Sequence, residues 1–140
     1  MNNYFKKFLT ILGIYIGTIL LGIIFSDAMG YFHSSIFNIE CGNSIFIIMN
    51  FNKGCIIEGF IYSYIFWLAI LSFIFLKQKI AWVIFIFGTF LFWLTSLLAI
   101  IESPSYVNSA SIGTFIIMLC SLVIGYGIGL GIKKIMNKKN

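Results

Sequence analysis

Residues 56–101, IIEGFIYSYIFWLAILSFIFLKQKIAWVIFIFGTFLFWLTSLLAII, decide the fold of this chain. Two apolar runs, 56–76 and 80–101, are separated only by a turn that carries Lys77 and Lys79. At a rise of about 1.5 Å per residue, a helix of either length crosses a hydrocarbon core of about 30 Å. Backbone N–H and C=O groups find no water inside lipid, so runs of this length predict helices that bond internally. The stretch therefore predicts a transmembrane helical hairpin.

Two further apolar runs flank this hairpin, at residues 8–26 and 112–132. Of the 140 residues, 61% are hydrophobic and 9% are charged, which leaves too little polar surface to cover a water-soluble globule. The sequence therefore predicts an all-α integral membrane protein, with a single membrane domain over residues 1–140 that forms a four-helix transmembrane bundle. Residues 27–55 connect the first two spans and are predicted to form one structured extracytoplasmic loop.

The placement of lysines predicts the orientation of the four helices. With four crossings, eight of the nine lysines fall on one side of the membrane, whereas Lys53 and all four acids fall on the other side. Because cytoplasmic loops are enriched in lysine and arginine, both termini are predicted to lie in the cytoplasm. The chain is therefore expected in the cell membrane, plasma or inner, as a multi-pass protein. The lysines on the predicted cytoplasmic side are Lys6, Lys7, Lys77, Lys79, Lys133, Lys134, Lys138 and Lys139.

The first apolar run has a second interpretation, as a cleaved signal peptide. Lys6 and Lys7 precede it, and Ser26-Asp27-Ala28 has small residues at the two positions that determine cleavage. The run is longer than the usual apolar region of about 7 to 15 residues, which favours an uncleaved helix. Cleavage would leave three spans and would place the new N-terminus outside.

Small residues predict where helices approach each other closely. Since lipid tails are as apolar as leucine, helix association inside a bilayer depends on close backbone packing, which small residues at four-residue intervals allow. Ser121, Gly125 and Gly129 form such a row in the fourth helix, and Gly13 and Gly17 form one in the first. Packing within the bundle is the favoured interpretation of these rows, and a homo-oligomer contact or a pore is the alternative.

Cys41 and Cys55 lie in the predicted outer loop, on the oxidising side of the membrane. A disulfide between them would close a loop of about 15 residues and would stabilise the fold by about 3 kcal/mol in the chain-entropy model. Two free thiols and a redox-active pair are the alternatives. Thiol-exchange enzymes typically use a Cys-x-x-Cys pair, and the sequence contains no such pair.

Acidic residues and the single histidine gather near the predicted outer face. Asp27 follows the first span, Glu58 begins the second, Glu102 ends the third, and His33 lies in the outer loop. Carboxylate and imidazole groups bind cations, but no short ligand motif supports a metal site here, so solvated helix-end residues are the favoured interpretation. Tyr62 lies one helical turn from Glu58 and is expected to hydrogen-bond to it.

The sequence narrows the function without identifying it. The lysines do not share one surface, so no nucleic acid is expected as a partner. The spans carry neither a buried charge for a proton relay nor a proline break, and no nucleophile accompanies the histidine, so no catalytic residue, cofactor or metal is expected. The favoured function is a non-enzymatic interaction or accessory protein in the lipid bilayer, whose partner is another membrane protein or a second copy of the chain. A small oligomeric channel or transporter subunit and a thiol redox protein that uses Cys41 and Cys55 are the alternatives.

Overall fold

A computed structural model describes residues 3–38, 56–102 and 109–138 of the chain. All four predicted helices are present in this part. The described residues form an all-helical bundle, and the helices are α1 (Asn3–Phe37), α2 (Ile56–Phe75), α3 (Gln78–Glu102) and α4 (Ser109–Lys138).

Helix α1 extends well beyond the predicted span 8–26. It continues through Asp27, where the outer loop was expected to begin, and ends at Phe37. At 35 residues it is about 52 Å long, more than the thickness of a hydrocarbon core. Asn38 follows with a positive φ of 54°, the left-handed conformation that commonly ends a helix and that asparagine tolerates. The first part of the predicted loop is therefore a continuation of α1.

Helix α2 lies at the centre of the bundle, and the other three helices pack around it. Its side chains are the most deeply buried of the four helices. Ile65, Leu68 and Ala69, for example, are fully enclosed by the other helices. In a regular up-and-down bundle α2 and α4 would be diagonal partners without a large shared surface. Here they form one of the two major helix contacts, so the bundle is collapsed along that diagonal.

The packed pairs fix the direction of each helix. Gly59 at the start of α2 packs on Gly30 near the end of α1, whereas Gly17 contacts Leu71 near the end of α2, so α1 and α2 are antiparallel. Helix α4 runs parallel to α2, because Gly125 packs on the Phe66 carbonyl and the following turns of both helices stay in contact. The short turn after α2 makes α3 antiparallel to it.

These directions place charged residues at opposite ends of the bundle. One end, called the lysine end here, contains the start of α1, the turn between α2 and α3, and the end of α4. The other end, called the acid end, contains Asp27 and Glu58. The lysine end carries Lys6, Lys7, Lys77, Lys79, Lys133, Lys134 and Lys138.

The outer faces of the bundle are strongly apolar. Large hydrophobic side chains are exposed along α1, α3 and α4, and examples are Phe8, Phe87 and Val123. Among the described residues, three helical segments are long and apolar enough to cross a membrane, and the described apolar part of α3 is shorter. An apolar surface this wide is typical of contact with lipid rather than water. The three segments are Tyr4–Phe37, Glu58–Phe75 and Gly113–Lys138, and the shorter apolar segment of α3 is Gln78–Leu94.

A tyrosine links α1 to α3 near the middle of the bundle. The Tyr15 hydroxyl donates to the Ile84 carbonyl of α3 at 3.0 Å. Gly88 lies one turn further along α3, and a Cβ atom there would come within 3.0 Å of the Tyr15 ring and 2.6 Å of Leu68. The absence of a side chain at Gly88 therefore leaves room for Tyr15 to reach the α3 backbone.

Candidate functional site

The closest helix contact in the described structure lies at the acid end, where α1 crosses α2. A Cβ atom at Gly59 would overlap the Ser26 carbonyl oxygen and would lie 2.8 Å from the Gly30 Cα atom, so the two backbones touch. Gly22, Ser26 and Gly30 form a row at four-residue intervals on α1, and Phe60 packs over Gly22. This row holds the extended end of α1 against the start of α2.

One turn beyond Gly30, a buried hydrogen bond joins His33 of α1 to Tyr62 of α2. The Tyr62 hydroxyl lies 2.9 Å from Nδ1 of His33, and His33 and Tyr62 are 4% and 1% exposed. Helical side chains lean toward the N-terminus of their helix, so two residues on antiparallel helices lean toward each other here. With a neutral imidazole protonated on Nε2, the hydroxyl donates to Nδ1.

Helix α4 joins the same group through its first turns. The Thr114 side chain hydrogen-bonds to the Tyr62 side chain, so Tyr62 is bonded to both α1 and α4. The Phe37 ring packs so closely on Gly113 that a Cβ atom there would overlap it, and it also contacts the His33 ring at a centroid distance of 4.8 Å. His33, Tyr62 and Thr114 are called the polar junction below.

Of the four residues expected to form an outer polar cluster, the structure describes the side chains of Asp27, His33 and Glu58. Glu58 lies close enough to act electrostatically on His33 and Tyr62, two members of the polar junction. Asp27 is buried in α1, at 4% exposure, and its Oδ1 atom has no hydrogen-bond partner among the residues described. Glu102 ends α3, and its side chain lies outside the described part. Tyr62 was expected to bond to Glu58, but its described hydrogen bonds go to other helices, because its hydroxyl reaches across to α1 and α4.

The small residues selected from the sequence occupy different environments. A Cβ atom at Gly125 would lie 2.7 Å from the Phe66 carbonyl oxygen, and one at Gly129 would lie 3.1 Å from the Ile70 carbonyl oxygen. Ser121 is buried on the same face of α4. Gly17 makes an ordinary contact with Leu71, whereas the space around Gly13 is open in the described structure.

The predicted cysteine pair, Cys41 and Cys55, lies outside the described residues, so the disulfide stays a prediction. Cys120 is a free thiol on an exposed face of α4. Within residues 3–38, 56–102 and 109–138, no group of three or more His, Cys, Asp or Glu side chains is placed to hold a metal ion.

Several residues that build this site were not selected from the sequence. The four-residue rule applied to Gly13 and Gly17 also selects Gly22, Ser26 and Gly30, which would have pointed to the crossing. No local signal identifies the bond between His33 and Tyr62, because it depends on how two helices are aligned. Their separation of 29 residues in the chain reflects that dependence.

No family model matches this sequence, and comparisons with curated proteins and with solved structures gave no match.

Proposed function

We propose that this chain is a four-pass membrane protein, with both termini in the cytoplasm, that acts as a non-enzymatic interaction or accessory protein. The observation that carries the proposal is the arrangement of one enclosed helix, α2, inside three helices whose outward faces are apolar. Such a molecule offers lipid and neighbouring membrane proteins a wide apolar surface. Helix α3 supplies the fourth span, because its full length of 25 residues covers about 37 Å.

The ends of the bundle support the orientation. Lysines from three separate parts of the chain meet at one end, and the described acids lie at the other. An excess of lysine on one side of a membrane marks the cytoplasmic side. Both termini are therefore proposed to lie in the cytoplasm of a cell with this protein in its plasma or inner membrane.

The contacts of α1 support an uncleaved first helix. Ser26 and Asp27, at the candidate cleavage site, are helical and buried. Gly59 of α2 packs directly on the Ser26 carbonyl, so removal of residues before Ala28 would also remove much of the α1 surface that covers α2. The long α1 is therefore proposed to remain part of the folded protein.

The enclosed position of α2 favours an interaction role over a channel formed by one chain. Leu68, Ala69 and Met118 fill the region between the helices, where an axial passage would have to run. The polar groups of the junction bond to each other instead of lining a continuous path. A channel would therefore require an assembly of several chains.

Site-specific photo-crosslinking in native membranes tests this proposal. A photoreactive residue replaces Phe87 of α3 or Val123 of α4, which are 76% and 66% exposed, and the enclosed Leu68 is the control position. The proposal predicts a discrete adduct with one other membrane protein from an outward position and none from Leu68. Adducts only between copies of the chain, together with ion flux through the purified protein in vesicles, would contradict it in favour of the channel alternative.

A further inference from the structure

Aromatic side chains of three helices form a compact cluster near the lysine end. The Phe73 ring of α2 contacts the Tyr126 ring of α4 at a centroid distance of 4.6 Å and the Trp82 ring of α3 at 5.1 Å. Trp82 and Tyr126 contact each other at 5.4 Å. Tryptophan and tyrosine are enriched where hydrocarbon gives way to headgroups, because one part of each ring system is apolar and the other is polar.

Lys133 of α4 lies beyond this cluster and caps the C-terminus of α2. Its ammonium group donates to the Leu76 carbonyl, which follows the last helical residue, Phe75. Carbonyls at a helix C-terminus lack helical donors, and the helix dipole favours a cation there. An ammonium group has three N–H donors, so this bond leaves two that have no partner in the part of the chain that the structure describes. The Leu76 carbonyl thus orients the Lys133 ammonium group and leaves two of its N–H donors available to a ligand.

Further positive charge surrounds Lys133 without a nearby described acid. Lys77 directly follows Leu76, and Lys79 lies in the first turn of α3, and both are exposed. The described acids, Asp27 and Glu58, belong to the other end of the bundle. The turn between α2 and α3 and the end of α4 therefore form a basic patch on the surface of the lysine end.

We propose that Lys133, flanked by Lys77 and Lys79, binds the phosphate of an anionic phospholipid headgroup. Exposed apolar side chains lie beside these lysines, at Ile80 on α3 and Ile132 on α4, so acyl chains can follow the outer faces of the same helices. A ligand with both a phosphate and acyl chains fits this combination better than free phosphate does. Lysine clusters at the cytoplasmic ends of transmembrane helices are known to bind such headgroups. The proposal rests on the membrane insertion proposed above.

Lipid binding to the full-length protein in phosphatidylcholine nanodiscs tests the site. Phosphatidylglycerol with the same acyl chains is titrated in, and its occupancy is measured by native mass spectrometry. The wild type is expected to prefer phosphatidylglycerol, and Lys133→Gln is expected to weaken that preference about fivefold or more, the effect of one lysine near an anionic surface. Lys138→Gln is the matched control, because it removes the same charge from α4 beyond the turn that contacts α2.

Each outcome of the titration either supports the lipid site or overturns it. Equal loss in Lys133→Gln and Lys138→Gln would overturn the proposal, since it would show general charge attraction. Displacement of phosphatidylglycerol by excess inorganic phosphate would also overturn it, in favour of a soluble ligand. If Lys133→Gln fails to fold, Lys77→Gln/Lys79→Gln decides: a weakened preference supports the site, and an unchanged one overturns it. Failure of the wild type to enter nanodiscs would instead contradict the proposed membrane insertion.

Discussion

The two ends of the bundle are held together in different ways. At the acid end, α1 and α2 touch backbone to backbone at Gly59, and directional hydrogen bonds of Tyr62 join α1, α2 and α4. At the lysine end, aromatic rings and a flexible lysine join α2, α3 and α4. Helices α2 and α4 take part in both sets of contacts, whereas α1 takes part only in the contacts at the acid end and α3 only in those at the lysine end. The acid end should therefore tolerate substitution less than the lysine end, because a backbone contact cannot be relieved by rotating a side chain.

The largest effect is expected at the crossing of α1 and α2. Gly59→Ala places a Cβ atom onto the Ser26 carbonyl, so the helices must separate, and a loss of about 3 kcal/mol in the free energy of unfolding is expected. Reversible unfolding in a defined micelle measures it. Gly127→Ala is the control, since the space around Gly127 is open in the described structure. Equal stability of the two variants would show that the crossing is not close-packed.

The contact between α2 and α4 should give a smaller, graded effect. A Cβ atom would lie 2.7 Å from backbone at Gly125 and 3.1 Å from backbone at Gly129, so Gly125→Ala should cost about 2 kcal/mol and Gly129→Ala about 1 kcal/mol. The same unfolding measurement applies, with Gly131→Ala as the control on the open face. The reverse order of the two costs would contradict the described register of α2 and α4.

A double-mutant cycle isolates the bond between His33 and Tyr62. Tyr62→Phe and His33→Phe are expected to show a coupling energy of about 1 kcal/mol, within the range for polar contacts between membrane helices. Tyr64→Phe removes a buried tyrosine hydroxyl from the same helix and is the control, which should show no coupling to His33. A coupling energy of zero between Tyr62→Phe and His33→Phe would show that the polar junction does not link α1 to α2.

The smallest loss of stability is expected for a substitution in the middle of the bundle, between the acid end and the lysine end. Tyr15→Phe removes the hydroxyl that donates to the Ile84 carbonyl but keeps the ring, and that carbonyl retains its place in the α3 helix. We expect a loss of about 0.5 kcal/mol in unfolding free energy, the low end for one hydrogen bond. A loss as large as that of Gly59→Ala would show that the middle of the bundle, rather than the acid end, governs stability.

Run length was sufficient to predict four helices, because a long apolar run leaves a chain in lipid no other way to pair its backbone. The end of α1 was not predictable in the same way, since its last turns are held by Gly59, which is distant in sequence. The prediction of helix contacts from rows of small residues has the same limit, because it also depends on residues distant in sequence. The row on α4 contains residues that contact α2, but on α1 two rows have similar composition and only the later one meets the α2 backbone. A local sequence pattern indicates which residues could form helix contacts, and the alignment of the helices determines which of these contacts form.

Labelling in intact cells tests the proposed four-pass orientation most directly. Single cysteines replace Asn38, Gln78 and Asn137 in a chain whose Cys41, Cys55 and Cys120 are changed to serine, and a membrane-impermeant maleimide is applied before and after permeabilisation. The orientation predicts that Asn38→Cys reacts in intact cells, whereas Gln78→Cys and Asn137→Cys react only after permeabilisation. Reaction of Gln78→Cys and Asn137→Cys from opposite sides would contradict it, because the lysine end would then not face a single compartment.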